Sequence, residues 1–234
     1  MSIVADFNAG LTAIQAPVNE RMAFLRKTYL NLLGAVVAFA ALAGVFVQAG
    51  VGESVMGFMG GNWIFMIGGL MLLAWIAQTM AAPNKSTAVQ FAGLSIYVIG
   101  YALLFSPILW IVTTFPQYEG ILFPAGVVTV LMFGGLSFYV FTTKKDFSFM
   151  RGALVLGGFA AFGLIVISML FGLDLGAWFS VLMIALACGY ILYDTSKVLH
   201  SYRTDQSVGA ALALFSSVML LFWYVLRLFM SSRN

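Results

Sequence analysis

Residues 175 to 198 read LGAWFSVLMIALACGYILYDTSKV, an apolar run that ends in a short polar cluster around Asp194. At 1.5 Å per residue a helix of this length crosses the roughly 30 Å of a bilayer's hydrocarbon core. Its middle falls near Leu186 or Ala187, which leaves Asp194 roughly 11 Å toward the C-terminal end, deep but not central. An ionisable side chain at that depth is costly unless a partner or water receives it, so by default it marks a functional site.

The same apolarity runs outward from this stretch through the whole chain. Of its 234 residues 62% are hydrophobic and only 8% charged, and the mean hydropathy is +1.04. Soluble domains carry about 25% charged residues, so the chain is an integral membrane protein. Its apolar runs are about 20 residues long and do not alternate in ten-residue segments, which makes the spanning elements helices and not barrel strands. The expected class is all-α, a single polytopic bundle with no soluble domain, low-complexity tract or internal repeat. The net charge of +3 follows topology, so nucleic acid is not implied. Cys188 is the one cysteine, which rules out a disulfide framework and a cysteine-based zinc site.

Apolar stretches long enough to span fall at Thr28 to Gly50, Trp63 to Ala82, Val89 to Trp110, Gly120 to Thr142, Phe149 to Phe171, Leu175 to Val198 and Val208 to Met230. That division gives seven transmembrane helices within 28–230 and a polar segment, 1–27, ahead of them. The segments between, among them Val51 to Asn62, Pro83 to Lys85 and His200 to Ser207, are expected to be loops. The first 28 residues lack a basic region followed at once by an apolar core, so the first run is expected to be retained.

Lysine and arginine divide unevenly between the two sides of such a bundle. The N-terminal side carries Arg21, Arg26, Lys27, Lys85, Lys144, Lys145, Arg151, Lys197 and Arg203, while the other has only Arg227 and Arg233 at its end and Glu53, Glu119 and Asp174 in its loops. By the positive-inside rule the N-terminus is expected in the cytoplasm and the C-terminus on the periplasmic or extracellular side. A re-entrant last segment would return the final arginines to the cytoplasm. Trp63, Trp110, Trp178 and Tyr118 lie near outer ends, at headgroup level. Gly34 with Ala38, Ala40 with Gly44, and Gly157 with Ala161 are small pairs four apart that permit close helix approach.

Two readings of Asp194 follow from the residues alone. Lys197 is one turn on, and an interfacial acid–base pair with a snorkelling lysine needs no function. Alternatively Asp194 faces the bundle interior as a proton-sensitive group that binds or gates a cation, with the hydroxyls of Tyr193, Thr195, Ser216 and Ser217 along the same path. His200, the one histidine, is expected to be a solvated interface side chain and cannot hold a metal by itself. Whether any metal binds is left open. Enzymatic constellations are incomplete: Tyr193-Asp194 has no second carboxylate at membrane depth for aspartyl proteolysis, no HExxH motif is present, and no lysine lies mid-membrane for a Schiff base. The chain is therefore expected not to be an enzyme and to need no cofactor.

Four stretches carry a resemblance: RKTY at 26–29, FGGLSFY at 133–139, TKKDFS at 143–148 and ILYDT at 191–195. With them the chain resembles the transmembrane Bax inhibitor motif (Bax inhibitor-1) family, in particular its short bacterial YccA-like and YetJ-like members, from about Arg21 to Arg227. Ser106-Pro107-Ile108-Leu109 resembles a Gly-Pro-Ile-Leu of the YccA-like branch. The resemblance implies a seven-helix fold with the last helix central, an inner (plasma) membrane location, and a cytoplasmic family motif at Thr143, Lys144, Lys145 and Asp146. It implies a pH-sensitive Ca²⁺ leak with a stress or cytoprotective role, closed by a pair of aspartates on the sixth and seventh helices. Asp194 matches the first of these; the second position falls on Ser217, and an asparagine of the family pattern falls on Leu220. No arginine lies in Trp63 to Ala82 to replace the missing partner. Two carboxylates in contact split their titrations into a proton-operated latch, a coupling that aspartate facing serine lacks. The YccA-like branch also carries serine here, and implies instead a partner that restrains the membrane-anchored FtsH protease, gripped through residues 1–27.

Overall fold

The computed structural model describes residues 11–82 and 84–233, with side chains throughout except at 59–67 and 70. The first ten residues of the expected cytoplasmic segment, Pro83, Asn234 and the side chains of Asn62 and Trp63 lie outside the described residues. The α-helices are α1 Val18–Gln48, α2 Val51–Met80, α3 Thr87–Thr114, α4 Leu122–Thr143, α5 Arg151–Phe171, α6 Gly176–His200 and α7 Ser207–Ser231. Among the described residues there is no strand beyond an isolated bridge between Thr12 and Arg203. Among the described residues six stretches are long and apolar enough to cross a membrane: those of α1, α3, α4, α5, α6 and α7. In α2 only Met71–Met80 qualifies among the described residues, as a shorter apolar helix.

Two boundaries differ from the sequence reading. Val51 to Asn62, read as a loop because of Glu53 and its glycines, is the first two-fifths of α2. The bend falls instead at Ala49-Gly50, where Gly50 takes a left-handed conformation. The first helix begins at Val18, ten residues before its apolar run. Helical hydrogen bonding does not require hydrocarbon, so Glu20, Arg21, Arg26 and Lys27 extend α1 beyond the apolar stretch.

The chain divides into two compact units. The first comprises residues 1–119 and 202–215. In it α1 buries one stripe, Phe24, Thr28, Leu32, Ala35, Phe39 and Ala43, at the spacing of a single helical face. From Leu32 to Val47 its other faces are apolar as well, as lipid contact requires. α2 packs antiparallel on α3 through glycines: a Cβ on Gly93 would stand 2.7 Å from the Met80 Cβ and 2.9 Å from the Ala77 carbonyl, and one on Gly52 would strike Ser106 and Trp110. Pro107 lies inside α3 and offers no N–H to the Leu103 carbonyl one turn back. The Ser106 hydroxyl donates to that carbonyl instead, at 2.7 Å. The early part of α7 joins this unit through Phe215, whose ring meets Phe39, Tyr97 and Tyr101 edge-on at 6.3, 6.1 and 5.6 Å. The segment before α1 is tied as well: the Ala13 N–H donates to the Tyr202 carbonyl at 3.0 Å, and Ala13 is fully buried.

The second unit comprises residues 120–201 and 216–234, with α4, α5, α6 and the later part of α7. Its apolar core gathers Ala161, Phe179, Met183 and Tyr224. The Gly157/Ala161 pair is used here, against Leu186 and this core, whereas a Cβ on Gly34 or Gly44 would meet nothing within 4 Å. Of the expected headgroup-level rings, Trp178 is exposed but Tyr118 is buried. Of the six spans, α7 is the most enclosed: 67% of its most apolar stretch is buried, against 56% or less in the others.

Candidate functional site

The polar residues near the end of α6 are consecutive, and helix geometry turns each about 100° from the one before. One short stretch therefore reaches three neighbours, all within the second unit. Asp194, half-buried, faces α7: the Ser217 hydroxyl donates to its Oδ2 at 2.5 Å. Thr195, fully buried, faces α4, where its hydroxyl lies 3.4 Å from that of Ser137. Ser196, 1% exposed, faces the segment after α4 and accepts the Phe147 N–H at 2.9 Å. One turn earlier, the Tyr190 hydroxyl donates to the Leu154 carbonyl of α5 at 2.9 Å. Gly158 makes room for it, since a Cβ there would be 2.8 Å from the tyrosine oxygen.

Hydrogen bonds across apolar helix interfaces hold helices that the hydrophobic effect cannot press together in lipid. Each of these links is local and side-chain specific, so each can be exchanged without unravelling α6.

The expected path of hydroxyls is only partly assembled. Ser217 is on Asp194; Thr195 belongs to the contact with α4. Tyr193 turns to Lys197, whose Nζ lies 6.0 Å from the centre of the Tyr193 ring. Lys197 lies one turn on along α6, but the hydrogen bond to the Asp194 carboxylate comes from Ser217 on the neighbouring helix. Ser216 is half-buried beside Ser217. Among the described residues no group of three or more His, Cys, Asp or Glu side chains is placed to hold a metal. Cys188 is half-buried and forms no disulfide.

The TKKDFS segment is built around Ser196. Thr143 ends α4 with its hydroxyl on the Tyr139 carbonyl at 2.8 Å, and Lys144 takes a left-handed conformation, φ 51°, that turns the chain back. Asp146 accepts the Ser148 N–H at 2.8 Å in a local turn. The Ser196 hydroxyl lies 3.4 Å from both the Lys145 carbonyl and Asp146 Oδ1. His200, placed by the sequence at the solvated interface, is half-buried at the end of α6 with Nδ1 2.9 Å from the Ser196 carbonyl. The Ser148 N–H holds the Asp146 carboxyl below its ordinary value, and the Ser196 hydroxyl and the charge of His200 add to that. Asp146 is therefore anionic at any physiological pH. Sequence reading did not single out Ser196. The available signal was its place beside Asp194 on an apolar helix, four residues before the one histidine.

Comparison with known proteins agrees with this architecture. The profile of the family described as inhibitor of apoptosis-promoting Bax1 matches residues 21–234. A Pseudomonas aeruginosa protein is 33% identical over 138 residues, a match that spans 56% of this chain and 58% of that relative. Over nearly the full length, the Golgi anti-apoptotic protein of Vaccinia virus is 27% identical, covering 97% of this chain and 93% of that protein. Protein lifeguard 4 of Mus musculus is 28% identical, covering 97% and 92%. A helical membrane fold matched by one family profile from Arg21 onward leaves a single assignment: the chain belongs to the Bax inhibitor family of multi-pass membrane proteins.

Proposed function

We propose that this protein is a proton-sensitive cation leak, with Ca²⁺ as the candidate ion, and that α6 and α7 are latched by Asp194 and Ser217. The observation that carries the reading is the hydrogen bond between those two side chains, which joins consecutive helices through one ionisable group. A cation or a proton arriving at the carboxylate competes with the Ser217 hydroxyl for it, and the α6–α7 contact is exchanged for passage. The role is binding and conduction, not catalysis. The anti-apoptotic name of the viral relative supports a cytoprotective setting. The excess of lysine and arginine on the N-terminal side supports a cytoplasmic N-terminus in a plasma or inner membrane. The test is Ca²⁺ flux in proteoliposomes at pH 6 and pH 8. Wild-type flux is expected to change between the two and Asp194→Asn flux to stay constant; identical behaviour of the two proteins removes the reading.

Serine at position 217 favours a second reading, a partner that restrains the membrane-anchored FtsH protease, since the YccA-like branch shares that serine. Residues 12 and 13 are tied to Arg203 and Tyr202, so the grip would fall on residues 1–10. Deleting those ten should abolish co-purification with the protease; undiminished co-purification removes this reading.

A further inference from the structure

Between α1 and α3, wholly within the first unit, runs an open groove of about 350 Å³ whose walls include Asn31, Gly34, Ala38, Leu42, Phe91 and Ser95. That volume falls within the roughly 300–1,000 Å³ of small-ligand sites. Gly34 forms part of its floor: a Cβ there would meet nothing within 4 Å. The surrounding side chains are exposed and apolar, with Leu30 54%, Phe91 43% and Ile99 48% accessible, so in a bilayer the groove opens onto acyl chains.

One end of this groove is basic. α3 runs antiparallel to α2, and α1 is joined to α2 by the two-residue turn at Ala49-Gly50, so α1 and α3 run in the same direction. Arg26 and Lys27 precede Leu30 and Asn31 by four residues each and so continue the groove face of α1 by one turn. Lys85 stands just before α3, its carbonyl fixed by the Gln90 side-chain amide at 3.0 Å. All three cations are exposed, and none is in an ion pair among the described residues. The nearest acid on either helix is Glu20, two turns before Lys27. Asn31 lies about 6 Å inward of Lys27 along the helix, the depth at which glycerol esters follow a headgroup, and its amide makes no hydrogen bond among the described residues.

We propose that this groove is a binding site for one anionic phospholipid, with an acyl chain laid over Gly34 and Ala38, the ester region at Asn31 and the phosphate among Arg26, Lys27 and Lys85. An apolar trough alone would accept any chain; the cationic end selects the negative headgroup.

The test is native mass spectrometry of the full chain in detergent, titrated with phosphatidylglycerol or phosphatidylcholine. The wild type should retain one phosphatidylglycerol in preference to phosphatidylcholine. Gly34→Leu fills the floor from a position where a Cβ meets nothing within 4 Å and should lower phosphatidylglycerol occupancy about tenfold, the loss expected for turning roughly two methylenes out of an apolar site. Gly44→Leu, on the same helix and equally unobstructed but outside the groove, should bind as the wild type does. Lys27→Gln and Lys85→Gln should each weaken phosphatidylglycerol about fivefold and leave phosphatidylcholine unchanged. Equal loss in Gly34→Leu and Gly44→Leu, no preference between the two lipids, or a dimer that Gly34→Leu abolishes would each overturn the proposal, the last by placing a second copy of the chain in the groove.

Discussion

The named helix contacts of the two units differ in chemistry. In the first, α2 and α3 approach through Gly52 and Gly93 and aromatic rings meet edge-on around Phe215. In the second, α6 is joined to α4, α5, α7 and the TKKDFS segment by hydrogen bonds from Thr195, Tyr190, Asp194 and Ser196. In lipid, helices associate by close packing or by interhelical hydrogen bonds, and in the second unit those hydrogen bonds stand beside close contacts such as Gly157 on Leu186. Close packing is steric and does not respond to protons or ions. Hydrogen bonds to a carboxylate respond to both, which is why the candidate switch belongs to the second unit.

The largest expected effect breaks the steric side. Gly93→Leu forces a side chain where a Cβ would already be 2.7 Å from Met80 and 2.9 Å from a backbone carbonyl. It should cost about 3 kcal/mol, read as a fall in the unfolding midpoint in detergent. If Gly93→Leu is tolerated, α2 and α3 do not approach as closely as described.

Next is Ser196→Ala, which leaves the Phe147 N–H without its acceptor and should cost about 1–3 kcal/mol. Hydrogen exchange should rise at Phe147 and Ser148 and stay unchanged in α2 and α3. Exchange that rises in α2 and α3 as much as at Phe147 would dissolve the distinction between the units. Ser217→Ala should cost less stability, about 1 kcal/mol, because membrane hydrogen bonds are individually weak. It should nevertheless alter ion leak, which Ser196→Ala should not.

The smallest effect concerns pH at the TKKDFS turn. Because Asp146 titrates below its ordinary value of 3.8, its ionised form favours the folded turn. That contribution is complete above the ordinary value and is lost as pH falls below it, through the lowered one. Exchange at Ser148, corrected for its intrinsic pH dependence, should therefore be flat from pH 5 to pH 8. A step inside that range would mean that another group governs the turn.

Among the described residues, apolar length located each of α1 to α7, because an apolar run of that length is what hydrocarbon thickness demands of a spanning helix. It misplaced the ends of α1 and α2 because Glu20, Arg26 and Glu53 are polar yet helical, and a hydropathy criterion measures lipid contact rather than backbone hydrogen bonding. Asp194 was legible as an acid out of place in an apolar run. Its neighbours were not fully so: whether Thr195 and Tyr193 share its face depends on which helices stand around α6, a tertiary fact that one sequence does not contain. Ser196 escaped notice because a lone serine has no periodicity, and its role appears only when the chain after Lys144 folds back to it.

The most direct measurement locks the contact between α6 and α7 reversibly. In a chain carrying Cys188→Ser with Asp194→Cys and Ser217→Cys, Ca²⁺ flux in proteoliposomes is followed before and after reduction of the 194–217 disulfide. The pathway should be closed when the disulfide is oxidised and leak when it is reduced, with no dependence on pH from 6 to 8 because the carboxylate is gone. Flux indifferent to that disulfide would contradict a latch at this position.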